Sequence, residues 1–246
     1  MTPKLRSELE RQLFFANKKV DKAIREYSMI EEGDRILVAV SGGKDSLCLL
    51  QLLKWRLKYS PVKYELAAAH VCGDSLGPSE GLPNEVLAWI EHLGVPLYSR
   101  NIVLPENELL PMNCERCSRN RRRTLFEMCQ EHGCNKLALA HNLEDFAHTA
   151  LMNLLSSGRL QTMAFRRDYF GGKIGVIRPL AYVREHDLVR LATIGQFPVV
   201  SNKCPLAYSS KRAAARKIMQ CLSKEFKHAA ENLVRAAKQN PPIGEE

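Results

Sequence analysis

Residues 37–46 read Leu37-Val38-Ala39-Val40-Ser41-Gly42-Gly43-Lys44-Asp45-Ser46, and Leu47, Leu49, Leu50, Leu52 and Leu53 follow directly. The apolar run predicts a strand, the two glycines end it, and the leucines predict a helix. Such a junction is built to hold an anion: backbone N–H groups converge where the chain turns, and the helix adds its positive N-terminal dipole. Lys44, Ser41 and Ser46 can donate to phosphate oxygens. Asp45 has the wrong sign for that and suits Mg²⁺. The loop is too short for the Walker A pattern, which places four residues between its first glycine and Gly-Lys-Ser/Thr. The plain alternative is an ordinary strand-to-helix turn capped by Ser41.

Working outward, strand and helix alternate. An amphipathic helix over residues 4–28 leads into a strand from Arg35 to Val40, and the helix after the loop runs to about Tyr59, before Pro61. Tyr64–Val71 is a second strand, with small alanines suited to a buried parallel position. A Gly-, Pro- and Ser-rich loop follows, then a helix from Pro83 to Leu93 and a strand from Val95 to Val103. Residues 114–132 form a basic helix, Lys136–Ala140 a short strand, and Leu143–Leu155 an apolar helix. This order predicts an α/β fold, a doubly wound, mainly parallel sheet whose site lies at the strand C-terminal ends. Beyond Ser157, Met163–Tyr169 and Lys173–Ile177 flank Gly171-Gly172 as a hairpin. Arg184–Thr193 and the tail from Ser209 to Lys238 are helical. The expected organisation is an N-terminal helix (1–30), a nucleotide-binding domain (31–205) and a basic helical tail (206–246).

With 45% hydrophobic and 26% charged residues among 246, the chain can bury a sizeable core. No apolar run reaches 18 residues and the start is a charged helix, which predicts a cytoplasmic protein without a membrane partner. Thirty-six Lys+Arg against 27 Asp+Glu give a net charge of +9. Part of it clusters at Arg116, Arg119, Arg121, Arg122 and Arg123 and at Lys211, Arg212, Arg216 and Lys217. One such cluster is an ordinary solvated helix face; several point to nucleic acid, whose phosphates release counterions on contact.

Two further constellations carry chemistry. Ala140-His141-Asn142-Leu143-Glu144-Asp145 closes a strand and opens a helix, which puts His141 and Asp145 one turn apart over the same crevice as the phosphate loop. His70, at the end of the second strand, is a weaker candidate for a nucleotide pocket. Cys114-Glu115-Arg116-Cys117 puts two thiols one turn apart at a helix start, where the dipole favours thiolates. Zinc, an iron–sulfur cluster and dithiol redox chemistry all use a CxxC pair. No second pair exists among the eight cysteines. Cys48, Cys129 and Cys221 read as small core or helix residues, whereas Cys204, just before Pro205, can project freely as a ligand.

The ordered set SGGKDS, CERC with the basic RNRRRTLF after it, AHNLED, IRPLAYVRE and a lone downstream cysteine resembles the PP-loop ATP pyrophosphatases, and within them the tRNA 2-thiocytidine synthetases, over roughly residues 20–210. Ala140 and Glu144 depart from the related GHxxDD element but leave its carboxylate pair intact. The resemblance implies an adenine-nucleotide α-hydrolase-like, Rossmann-like fold. It also implies ATP held by Ser41, Gly42, Gly43, Lys44, Asp45, Ser46, His70 and His141, with Lys44, Asp45 and Asp145 catalytic and Mg²⁺ on Asp45. A [4Fe–4S] cluster on Cys114, Cys117 and Cys204 is implied as well, with a structural zinc completed by Cys72 or Cys134 as its alternative. The implied partners are tRNA, held by Arg119, Arg121, Arg122 and Arg123, and a sulfur donor, either sulfide or sulfur from a cysteine desulfurase; a homodimer is compatible. The implied reaction adenylates a base carbonyl oxygen, releases pyrophosphate, and replaces that oxygen by sulfur as AMP leaves. Rival readings are a thiouridine synthetase, a lysidine synthetase, a small-molecule sulfur or amide ligase, and, from another class, a non-catalytic RNA-binding or iron–sulfur protein.

Overall fold

The computed structural model describes residues 3–201, 204 and 211–240. Helix α1 (Pro3–Glu26) precedes β1 (Asp34–Ala39), α2 (Lys44–Arg56), β2 (Tyr64–Cys72), α3 (Asn84–His92) and β3 (Leu97–Asn101). Then come α4 (Cys114–Glu131), β4 (Lys136–Ala138), α5 (Leu143–Ser157), the strands β5 (Arg166–Tyr169) and β6 (Ile174–Ile177), α6 (Glu185–Ile194), α7 (Lys211–Glu225) and α8 (Ala229–Ala237). The six strands form one sheet in the order β3-β2-β1-β4-β6-β5. All pairings are parallel except β5 with β6. The chain runs from β1 outward through β2 to β3, then crosses through α4 to β4 on the other side of β1, so a crevice opens at the C-terminal ends of β1 and β4.

Alternation along β1 shows why the sheet is covered on both faces. Ile36 and Val38 join a large core with α1, α2, α5 and α6, while Leu37 joins a second core with Leu125, Met128 and Cys129 of α4. Helix α2 buries Leu47, Leu49, Leu50, Leu52 and Leu53 completely, which fixes the phosphate loop to the larger core. The tail expected as one helical run is two helices, α7 and α8, separated by Phe226, Lys227 and His228. Both pack on α5, and a single straight helix of that length cannot. The sequence also overextends β3 and β5 by two to three residues, although Pro96, Ile102 and Phe165 beside them each keep one backbone bond to the neighbouring segment.

Strand β4 has three residues and still sits at the centre, between β1 and β6. Polar side chains hold its N-terminal edge. The buried Lys136 Nζ lies 3.2 Å from Glu31 and 3.7 Å from Asp34. Asn135 donates to Asp34 at 2.8 Å and accepts from the Arg35 N–H at 2.9 Å. These contacts accompany the register Ile36↔Lys136, Leu37↔Leu137, Val38↔Ala138.

Candidate active site

The loop after β1 is preshaped. Gly42 adopts φ +81°, and a Cβ there would meet Leu82 Cδ2 at 3.1 Å and Val200 Cγ2 at 3.2 Å. The Val200 N–H donates to the Gly42 carbonyl at 2.9 Å, so a remote segment closes the loop from above. Gly43 is the extended N-cap of α2 with no side-chain cap bond, which leaves the helix start open to an anion. Ser46 Oγ donates to the Gly43 carbonyl at 2.8 Å and accepts from the Ser41 N–H at 3.2 Å, and the Gly43 N–H donates to Ser41 Oγ at 3.3 Å. Both serines expected to bind phosphate hold the loop itself in this state.

Lys44 and Asp45 lie at the crevice. Lys44 Nζ sits 2.8 Å from Glu185 of α6 and 3.3 Å from Asp45 Oδ1. Burial works against the ammonium, but these carboxylates outweigh it and raise its pKa. Asp45 is pushed up to about 6, chiefly by burial; Lys44 opposes the rise, and the negative charge of Asp145 adds to it. Its Oδ1 is buried without a hydrogen bond. Two carboxylates that repel one another, one with an unbonded oxygen, form the donor set a hard dication favours, and on this ground the residues fit Mg²⁺.

The second loop meets the first through Asn142. Its side chain accepts from the Asp145 N–H, and the Asp145 carboxylate accepts from the Asn142 N–H, each at 3.1 Å, so the two residues form a capping box at the start of α5. The same side-chain amide donates to Asp45 at 3.4 Å. His141 Nδ1 accepts from Arg178 at 3.3 Å. Burial, then Arg178, Arg212 and Arg122, hold its pKa well below the ordinary range, so the ring is neutral. His70 donates from Nδ1 to the Val40 carbonyl at 2.8 Å, which ties the end of β2 to the base of the loop; burial lowers its pKa, and Arg121 adds to that.

Sequence reasoning missed Glu185, Asn142, Arg178 and Val200, and read Glu144 only as a member of the carboxylate pair. Glu144 accepts from the Glu185 N–H at 2.7 Å and so positions the residue that pairs with Lys44. Arg178 and Glu185 lie in the IRPLAYVRE stretch, a recognisable string whose individual roles depend on contacts far apart in the chain.

On the other side of the crevice, Cys114 is exposed at the first turn of α4, and Cys117 and Cys204 are half-buried. Asn113 caps this helix by accepting from the Arg116 N–H. Burial raises the Cys117 pKa, Arg121 opposes the rise, and Cys204, Asp74 and Cys114 add to it, so Cys117 lies within electrostatic reach of both other thiols. Cys204 Sγ is 3.8 Å from Ser75 Oγ. Among the described residues no three His, Cys, Asp or Glu side chains are gathered closely enough to hold a metal ion. The donor chemistry nevertheless fits a thiophilic metal, with three thiols around one end of α4. Cys134 lies beyond the far end of this 18-residue helix, about 27 Å away by helical rise, and cannot be a fourth ligand. Cys48 and Cys129 are core residues and Cys221 is an exposed helix residue.

The four arginines separate. Arg121 donates to the Gly73 carbonyl at 2.8 Å and faces inward. Arg119 pairs with Glu115 and Arg123 with Glu127 on the surface of α4. Arg122 is half-buried, and its charge is felt at His141.

Residues 14–222 match the PP-loop domain family. A tRNA-cytidine(32) 2-sulfurtransferase of Geobacter metallireducens is 40% identical over 215 residues, 84% of this chain and 80% of that protein. One from Geobacter sulfurreducens is 37% identical over 226 residues, 88% and 86% of the two chains. Among solved structures, the U34-tRNA thiolase NcsA from Methanococcus maripaludis, with its [4Fe-4S] cluster, superposes with a TM-score of 0.76 over 94% of this chain and 79% of its own, at 23% identity. With a glycine loop, a carboxylate pair and a cysteine-bearing helix gathered at one switch point, the chain belongs to the PP-loop family, alongside the tRNA-cytidine(32) 2-sulfurtransferases.

Proposed function

We propose that the protein is an ATP-dependent tRNA sulfurtransferase that adenylates the C2 carbonyl oxygen of a cytidine in the anticodon loop and replaces that oxygen by sulfur. The observation that carries this reading is Arg121: one helical turn from Cys117 on α4, it donates at 2.8 Å to the Gly73 carbonyl just beyond β2, the strand whose His70 holds the base of the phosphate loop. One guanidinium therefore borders both halves of a two-part site. The high identity to the thiocytidine enzymes favours cytidine over uridine as the base.

In this reading the loop amides of residues 41–43 and the open start of α2 receive the phosphates of ATP. Lys44 exchanges Glu185 for phosphate oxygens and stabilises charge as pyrophosphate leaves. Asp45, with Asp145 near it, would hold Mg²⁺, which supplies charge neutralisation between the phosphates. The neutral His141 and His70 line the nucleoside side without adding charge. A [4Fe–4S] cluster on Cys114, Cys117 and Cys204 would supply an iron without a protein ligand, able to take up sulfide from the donor. Attack of the base oxygen on the α-phosphorus expels pyrophosphate; sulfur then replaces that oxygen at C2, and AMP carries it away. Residues 31–205 are the catalytic unit, and α1, α7 and α8 are extensions packed against it. No helix among the described residues is long and apolar enough to cross a membrane, and a tRNA substrate assigns the protein to the cytoplasm.

The test is anaerobic purification with iron and sulfide assays, followed by mass spectrometry of nucleosides from tRNA incubated with ATP, Mg²⁺ and sulfide. Cys114→Ser, Cys117→Ser and Cys204→Ser should each lose colour, iron and 2-thiocytidine, yet keep RNA-dependent exchange of pyrophosphate into ATP. Cluster-loaded protein that leaves every tRNA unthiolated while activating a small acid would overturn the assignment.

A further inference from the structure

The face of the sheet opposite the large core is covered by α4, and beside this helix lies the tip of the β5–β6 hairpin, whose two strands form one edge of the sheet. Between them lies a groove of about 1540 Å³, lined by Arg119, Arg122, Arg123, Phe126, Phe170 and Lys173. That exceeds the roughly 300–1,000 Å³ of clefts that enclose small molecules, so it suits a length of chain better than a metabolite. Its wall is aromatic: the Phe126 ring lies 5.0 Å from Tyr169 and 5.2 Å from Phe170, the latter edge to face at 87°. Phe170 is 60% exposed at the hairpin tip and has φ +55°, a conformation that disfavours a bulky side chain and that glycine would adopt freely. An exposed aromatic kept in left-handed backbone at the mouth of a basic groove indicates a contact made outward. The flanking Gly171 and Gly172, at φ +63° and +88°, leave the tip unobstructed.

Charge complements the ring wall. Arg119 and Arg123 pair with Glu115 and Glu127, but on exposed helix surface, where such pairs are weak and a phosphate can take the carboxylate's place. Lys173 is exposed in the turn just before β6. Aromatic faces interleaved with basic groups are how proteins hold unstacked single-stranded RNA. The groove runs along α4 from Arg122, whose charge reaches His141, to Asn135 and Phe170 at the edge of the sheet opposite the phosphate loop.

We propose that the groove between α4 and the tip of the β5–β6 hairpin seats a single-stranded tRNA segment leading away from the target base, with one base stacked on Phe170 and Phe126 and its phosphates on Arg119, Arg123 and Lys173. The proposal rests on the tRNA reading above and adds the hairpin as its recognition element. To test it, tRNA affinity is measured by fluorescence anisotropy over a salt series for the full-length protein, Phe170→Ala, Phe170→Tyr and the double variant Arg123→Ala/Lys173→Ala. ATP affinity without RNA and the melting temperature are followed in parallel. Phe170→Ala should weaken tRNA binding about tenfold at fixed salt with an unchanged salt slope, and Phe170→Tyr should restore it. The double variant should lower the slope of log K against log salt by about 1.4, at ~0.7 for each of two single-strand phosphates. ATP affinity and melting should match the parent. Variants that bind tRNA with parental affinity and slope would overturn the proposal, and this is also the outcome if the groove receives a protein. A parent that binds no tRNA would instead refute the tRNA reading on which it rests.

Discussion

Asp45→Asn replaces a buried carboxylate by a neutral amide of the same shape, and its effects on stability and on function should have opposite signs. The carboxyl titrates at about 6 in the folded protein against 3.8 in the reference state, because burial and Asp145 together outweigh Lys44. A carboxyl whose folded pKa is raised is accommodated best as the acid. Its contribution to stability is complete below pH 3.8 and is lost as pH rises through about 6. A gap of ~2 units at ~1.4 kcal/mol per unit gives ~3 kcal/mol of destabilisation at pH 7.5. The side chain is 27% exposed, so solvent screening reduces this to about 1–2 kcal/mol. Asp45→Asn should therefore melt about 2–8 °C above the parent at pH 7.5 without nucleotide or Mg²⁺. By the same linkage the gain should shrink to roughly a third at pH 4.5. Differential scanning calorimetry at the two pH values reads the stability arm, and titration with Mg²⁺–ATP reads the functional one, where binding should be lost. A variant no more stable than the parent at pH 7.5, or equally advantaged at both pH values, would refute the account of Asp45 as a strained carboxylate awaiting a cation.

Gly42→Ala must place a Cβ 3.1 Å from Leu82 and 3.2 Å from Val200 in left-handed backbone; it should cost about 1–3 kcal/mol in a thermal melt and abolish ATP binding, and an unchanged melt would contradict the closed loop. Asn142→Ala removes the cap of α5 and the amide donor to Asp45. It should cost ~1 kcal/mol, and it should move the acid limb of Mg²⁺–ATP binding to higher pH, because the ionised carboxylate loses a donor. Tyr169→Phe removes a buried hydroxyl that has no hydrogen-bond partner; stability measured by denaturant unfolding should stay within about 0.5 kcal/mol or rise, and a loss above ~1 kcal/mol would show that the hydroxyl is bonded in solution.

Local chemistry explains what was readable in advance. The phosphate loop, the alternation of strands and helices, and the junction at Ala140–Asp145 are all written in contiguous residues, where glycines, apolar period and cap residues act within one turn. The doubly wound, mainly parallel sheet follows from them, because both loops must lie at the C-terminal ends of its strands; the strand order itself depends on long-range pairing. Lys44–Glu185, Gly42–Val200 and His141–Arg178 were not readable, since each joins segments tens to more than a hundred residues apart and none has a local signature. The basic helix shows the same limit. Arg119, Arg121, Arg122 and Arg123 look alike as a run, yet 3.6-residue periodicity turns Arg121 inward to Gly73 and leaves Arg119 and Arg123 on the surface. The aromatic groove has no local signature, because Phe126 and Phe170 meet only once the tip of the hairpin lies beside α4.

Strand β4 is shorter than any other in the sheet, yet it aims His141 and Asp145 at the phosphate loop. Three ladder positions specify register weakly, and a slip of one residue would carry that loop ~3.3 Å along the crevice and exchange the faces of Leu137 and Ala138. The cluster of Lys136, Asn135, Asp34 and Glu31 at the opposite edge of the sheet is what makes such a slip costly, because Lys136 is buried and would lose both carboxylates at once. The alignment of the two loops is thus set from the far end of the strand, by charges at the other edge of the sheet.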